Sequence, residues 1–164
     1  MKIGIDLGTT NTAAAFLDNG EPRLIPNSRG HVTTPSVVGA DSKNRRIVGE
    51  SARNQLRSVP ERTVGGFKRF MGKRTTISVG DLSFSPEEIS AFLLEDVRRY
   101  AEAYLGESVT EGVVTVPAHF DDRRRAATME AALLAGFRHV SLLNEPTAAA
   151  LPYAVHGPDQ HRIV

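Results

Sequence analysis

The stretch Ile3-Gly4-Ile5-Asp6-Leu7-Gly8-Thr9-Thr10-Asn11-Thr12 constrains the fold more than any other part of this 164-residue chain. Ile3, Ile5 and Leu7 alternate with Lys2, Gly4 and Asp6, the period-two pattern of a strand with one buried face. Gly8 supplies the backbone freedom for a tight turn into a second strand. A carboxylate therefore stands at a strand end directly before a Gly-Thr-Thr turn. Successive backbone amides in such a turn form an anion-binding concavity, the hydroxyls of Thr9 and Thr10 add donors, and Asp6 is a hard oxygen ligand for a cation, directly or through water. That geometry suits a triphosphate and its magnesium. The P-loop pattern and the G-x-G-x-x-G dinucleotide fingerprint are both absent, which removes two common nucleotide-binding alternatives. The competing reading of the decapeptide alone is an ordinary N-terminal hairpin.

The length fits one domain that buries roughly 70% of its unfolded surface. Lysine and arginine number 20 against 19 acidic residues, for a formal charge of +1, so there is no electrostatic case for nucleic acid or an anionic membrane as main partner. The absence of cysteine excludes disulfides, thiolate metal sites and a cysteine nucleophile, and is compatible with a reducing compartment. Met1-Lys2 leads straight into strand periodicity without an apolar leader, and no run is long enough to span a bilayer. The expectation is a soluble cytoplasmic protein with no nucleic-acid and no membrane partner.

Along the chain, the hairpin runs through Asn11 to Leu17, turns at Asp18-Asn19-Gly20 and returns through Arg23-Leu24-Ile25, a three-stranded antiparallel start. Strands are expected at Ser36 to Gly39 and at Ile47-Val48, then a short helix near Ser51 to Arg57, then a hairpin from Thr76 to Ser83. The strongest helix signal is Ser85-Pro86-Glu87-Glu88, a capping box with proline in the first turn. Ile89, Phe92, Leu93, Val97, Tyr100 and Tyr104 are predicted to share its buried face, and Gly106 to stop it. Val113 to Val116 reads as a buried strand, Asp121-Asp122 caps a helix reaching Gly136, and Val140 to Leu143 is a strand before a helix from Pro146-Thr147. This order predicts an α/β fold, a mixed sheet with helices on its faces and an insertion in the middle.

Four separated segments converge on one family. The opening hairpin, Gly66-Phe67-Lys68-Arg69-Phe70-Met71-Gly72, Val114-Thr115-Val116-Pro117-Ala118-His119-Phe120, and Asn144-Glu145-Pro146-Thr147-Ala148-Ala149-Ala150-Leu151 together resemble the seventy-kilodalton heat-shock chaperone family, in order and spacing. The loosest match lies between Lys73 and Phe84, and the chain looks closest to the shorter bacterial members of the heat-shock cognate C type. The resemblance implies the first lobe of an actin-like ATPase domain: a ribonuclease-H-like layer from residues 1–35 and 111–164, interrupted by a small subdomain at 36–110. It also implies a longer chaperone. A second phosphate hairpin, a second lobe and a peptide-binding domain would follow, and the lobe alone would bind nucleotide weakly and hydrolyse almost none.

The resemblance carries roles residue by residue. Asp6 would hold Mg2+ through its water shell, and Gly8, Thr9, Thr10 and Asn11 would grip the phosphates of ATP or ADP. Lys68 matches the family's catalytic lysine and Glu145 the carboxylate that orients the attacking water. Pro117 and Arg125 match a pair that relays nucleotide state between domains, although Pro117 could simply end a strand and Arg123-Arg124-Arg125 could be a solvated helix face. His119 stands where the family usually has tyrosine, which puts interlobe coupling in doubt. Expected partners are unfolded client polypeptides, a J-domain co-chaperone and a nucleotide exchange factor. Two other classes compete: an actin-like bacterial filament protein, and a carbohydrate kinase of the same superfamily. Histidines 31, 139, 156 and 161 lack metal-ligand spacing and are read as surface or loop residues. There is no G-x-S-x-G elbow for a serine hydrolase.

Overall fold

A computed structural model describes residues 1–156. Strand β1 (Lys2–Leu7) folds as its alternation demands, with Ile3, Ile5 and Leu7 buried and Asp6 exposed. Strand β2 (Asn11–Asp18) returns antiparallel, placing Thr12 opposite Leu7 and Ala13 opposite Asp6. Asn19 and Gly20 both take positive φ, at 51° and 90°. The type I′ hairpin turn, which matches strand twist, requires that of both positions, and β3 (Glu21–Leu24) then pairs back on β2. A two-residue strand, β4 (Thr34–Pro35), also pairs with the start of β2.

The chain then leaves this sheet. Strands β5 (Val37–Ala40) and β6 (Arg46–Val48) pair around the Asp41–Arg45 turn, α1 (Glu50–Gln55) follows, and β7 (Thr63–Gly65) completes a sheet of order β6-β5-β7. Backbone and side-chain bonds from Arg45 hold the Asp41 carboxyl below its usual range. Strands β8 (Ile77–Val79) and β9 (Leu82–Phe84) form the predicted hairpin about Gly80-Asp81. Strands β4 and β7, and 3-10 turns at Pro60–Arg62 and Phe67–Phe70, had no counterpart in the periodicity analysis. They are too short to carry a period.

Helix α2 (Pro86–Leu105) begins with both halves of its capping box formed. The Glu88 amide donates to Ser85 Oγ at 3.1 Å and the Ser85 amide to Glu88 Oε2 at 2.7 Å, satisfying two orphan donors of the first turn. Gly106, at φ 71°, ends it. Ile89, Leu93 and Val97 are fully buried and Tyr100 nearly so, its hydroxyl pushed up to about 12 by that burial. Tyr104 departs from the expected face: it is 53% exposed, at the last turn of the helix, where its ring meets Phe16 in a T-shaped pair at 6.2 Å. Helix α2 packs along α3 (Asp122–Leu134) and touches β5, β6 and β9.

Strand β10 (Glu111–Val116) lies parallel to β1, and β11 (His139–Asn144), which follows α3, lies parallel to β10. The sheet order is β11-β10-β1-β2-β3, a mixed sheet with flanking helices, and α4 (Glu145–His156) leaves its end. Strand β10 alternates: Val114 and Val116 enter the core, while Val113 and Thr115 turn to the other face and are half-buried, so it is not buried on both sides. Asp121 caps α3 as predicted, its Oδ1 accepting from the Arg124 amide at 2.9 Å. His31 and His139 are exposed; His161 and the chain end at Val164 lie outside the described residues. Among the described residues no helix is long and apolar enough to cross a membrane.

Candidate functional site

Strands β1, β10 and β11 run parallel, so their carboxyl ends meet at one edge of the sheet, where ligand crevices of open α/β sheets lie. Ile5 is in register with Val114, and the next residues along, Asp6 and Thr115, meet through their side chains: Thr115 Oγ1 donates to Asp6 Oδ1 at 2.7 Å. Val116 is in register with Asn144, and Glu145 opens α4 immediately after it. A strand pairing thus gathers residues more than a hundred positions apart.

The turn after β1 is closely wound. The Gly8 amide donates to the Asp6 carbonyl at 3.1 Å, and a Cβ on Gly8 would stand 2.2 Å from the carbonyl oxygen of Asn11. No side chain fits there without moving backbone. Gly8→Ala should therefore lower stability by about 1–3 kcal/mol through overpacking. Urea denaturation with a midpoint equal to that of the unsubstituted protein would show that the turn is not this tight. Thr9, Thr10 and Asn11 are exposed on the turn, as a cradle for an external group requires.

Lys68 reaches the site from the connection between β7 and β8. Gly66, at φ 64°, starts the 3-10 turn Phe67–Phe70; Phe67, 2% exposed, anchors it, and Lys68 is itself buried. Lys68 Nζ donates to Glu145 Oε1 at 2.6 Å and lies 5.9 Å from the ring centroid of Phe120. The two side chains are 6% and 40% exposed, so the carboxylate keeps partial hydration while the ammonium has little. Glu145 occupies the first position of α4, where the helix dipole favours a negative charge.

Arg125 is tied in place. Its Nε donates to the Phe120 carbonyl at 3.1 Å and its Nη2 to Asn144 Oδ1 at 2.5 Å, which links the β10–α3 connection to the end of β11. The Pro117 carbonyl accepts from the Phe120 amide at 3.0 Å. Arg125 is therefore not part of a solvated helix face, whereas Arg123 is exposed. His119 is exposed and meets Phe120 edge-on at 5.7 Å, and the Arg124 guanidinium sits 5.5 Å over the same ring.

The structure thus brings Lys68 to Glu145, and Arg125 to the end of β11. It sets Asp6 and the Gly8–Asn11 turn at the neighbouring strand end. Four residues that border this region escaped the reading of the residues one by one: Thr115, Asn144, Phe120 and Ser36. Thr115 carried one weak signal, as the polar residue inside Val113-Val114-Thr115-Val116. Among the described residues no group of three acidic or histidine side chains could hold a metal. Asp6, exposed and oriented by Thr115, still fits a magnesium ion, which keeps most of its water shell and binds through one or two carboxylates.

A model of the Hsp70 protein family matches the chain over residues 2–79 and 73–164. The two matched segments overlap at 73–79, where the resemblance in sequence was loosest. Members of that family bind nucleotide, generally with Mg2+, hydrolyse ATP as full-length proteins, and work with client polypeptides and co-chaperones. With its mixed sheet, flanking helices and match along nearly its whole length, the chain belongs to the Hsp70 family and has the fold of the first, actin-like lobe of that family's chaperone ATPase domain.

Proposed function

We propose that this lobe binds and hydrolyses ATP in a chaperone that couples nucleotide state to the binding and release of unfolded polypeptides. The observation that carries the reading is the convergence of Lys68 on Glu145 at the same sheet edge that presents Asp6 and the Gly8–Asn11 turn. Phosphoryl transfer gives a protein little covalent work, so positioning and charge neutralisation are the roles to fill. The turn amides and the hydroxyls of Thr9 and Thr10, with Asn11, hold the β- and γ-phosphates. Asp6 holds the hydrated magnesium. Lys68 places its ammonium beside the γ-phosphate, and Glu145 orients the attacking water. Binding of the γ-phosphate then shifts Lys68 away from Glu145, releasing that carboxylate toward the water.

Residues 1–35 and 111–164 form the ribonuclease-H-like subdomain in this reading, and residues 36–110 the inserted one. Pro117 and Arg125 relay nucleotide state to a peptide-binding domain; the bonds from Arg125 to Asn144 and to the Phe120 carbonyl support that role, because they join the residue before Glu145 to α3. The chaperone is of the heat-shock cognate C type, acts in the cytoplasm and uses a J-domain co-chaperone and a nucleotide exchange factor. The Hsp70 match and the Asn144-Glu145-Pro146-Thr147 segment favour this over a filament protein.

The test uses the full-length protein loaded with a fluorescent unfolded peptide. Adding ATP with Mg2+ should release the peptide faster than adding ADP. Equal release rates would sink the coupling, and nucleotide-dependent polymers in a sedimentation assay would move the protein to the filament class.

A further inference from the structure

Ser36 stands between β4 and β5, 2% exposed, and it touches the opening turn at two points and the start of β2 at a third. Its Oγ donates to the Gly8 carbonyl at 2.7 Å, its Oγ lies 2.9 Å from Thr12 Oγ1, and its amide donates to the Thr10 carbonyl at 2.8 Å. A serine hydroxyl has one proton, and a carbonyl can only accept. The Ser36 proton is therefore committed to Gly8, and the proton between the two hydroxyls must come from Thr12. The result is a directed chain from Thr12 to Ser36 to the Gly8 carbonyl. Thr12, at 0% exposure, and Ser36 are both shut away from water, so the bond between the two hydroxyls is closed to solvent.

The direction of a carbonyl fixes more than the carbonyl. The peptide group is planar, and the described residues include no cis bond, so each N–H of the turn points opposite to the C=O of the preceding residue. Holding the Gly8 carbonyl toward Ser36 turns the Thr9 amide away from it, and holding the Thr10 carbonyl does the same for the Asn11 amide. Ser36 thereby sets the orientation of two N–H groups of the turn without touching anything bound there.

We propose that Ser36 is a positioning residue for phosphate binding: by pinning the Gly8 and Thr10 carbonyls inward, it aims the Thr9 and Asn11 amides at the β- and γ-phosphates. This rests on the reading of the Gly8–Asn11 turn as a phosphate cradle. Ser36 also begins the segment that enters the β6-β5-β7 sheet, so the same bonds join the cradle to the inserted strands.

The experiment compares ADP, ATP and adenosine binding to the full-length protein by calorimetry. Ser36→Ala should weaken ADP and ATP by roughly tenfold, the scale of one lost hydrogen bond, here the one that holds the Gly8 carbonyl, and leave adenosine within about twofold, since adenosine has no phosphate to meet the turn. Thr12→Val, which removes the donor to Ser36 and keeps the strand's shape, should shift the three ligands in the same pattern by a smaller factor, and it carries the test if the alanine variant does not fold. Equal losses for adenosine and ADP would mean that Ser36 only supports the fold. No loss for any ligand would overturn the role outright. If the unsubstituted protein holds adenosine as tightly as ADP, the phosphate cradle itself fails, an outcome separate from either of these.

Discussion

Lys68→Ala in the full-length protein is expected to lower the rate of ATP hydrolysis by roughly 100- to 1,000-fold, the effect of deleting one preorganised group that meets transition-state charge. The dissociation constant for ATP should stay within about threefold, because the turn and the metal carry ground-state binding and lysine acts where charge shifts during transfer. The lysine is placed for this: it is buried, paired to Glu145 at 2.6 Å and backed by the Phe120 ring. Lys68→Arg should fail to restore the rate, since a broad planar guanidinium does not replace a compact ammonium in a closed site. Removing the lysine leaves Glu145 without that partner, but at 40% exposure it can be hydrated, so the fold should survive the change. Single-turnover kinetics beside equilibrium ATP binding make the comparison. Losses of equal size in both would assign Lys68 to ground-state binding and leave the transition state without its ammonium.

Leu93→Ala should be a severely damaging core truncation, lowering stability by about 2–5 kcal/mol. Leu93 is 0% exposed on α2, in the same core that buries Ile3, Ile5 and Leu7 of the site's first strand, and a helix held at both ends by a capping box and Gly106 cannot readily collapse into the space left. For a domain whose whole margin is roughly 5–15 kcal/mol, this is a large share. The melting temperature should fall by roughly 5–15 °C. Leu134→Ala is the control: the residue is 58% exposed on α3, and the change should stay within about 0.5 kcal/mol. Chemical denaturation of the two variants settles the matter, and similar losses at both positions would show that burial is not what separates them.

Much of the fold was legible because its signals are local. Alternation at Ile3, Ile5 and Leu7 marks a strand, positive φ is easily met at Asn19-Gly20, and Ser85 with Glu88 closes a box within four residues. Tyr104 shows the limit of such patterns. Periodicity puts it on the face of Leu93 and Val97, but whether a face is covered depends on what reaches it, and at the last turn of α2 the T-shaped pair with Phe16 leaves Tyr104 exposed. Arg125 shows the same limit from the other side: three consecutive arginines read as a solvated face until Asn144 and the Phe120 carbonyl, brought by β11 and by the β10–α3 connection, take up one of them.

The site divides along the same line. The Asp6-to-Asn11 turn could be read from residues alone, since adjacent carboxylate, glycine and hydroxyls declare their chemistry. Lys68 and Glu145 were reached by resemblance, for nothing near either residue distinguishes it from a surface charge, and they stand 77 positions apart. Sequence by itself determined most of the strand and helix pattern and the caps, and suggested a turn suited to phosphate, because each depends on neighbours within a few residues. Only the tertiary structure decided that Thr115 orients Asp6, that Ser36 clasps Gly8 and Thr10, and that a buried ammonium meets the head of α4, because those contacts are made by sheet register and core packing, which join residues that no local pattern connects.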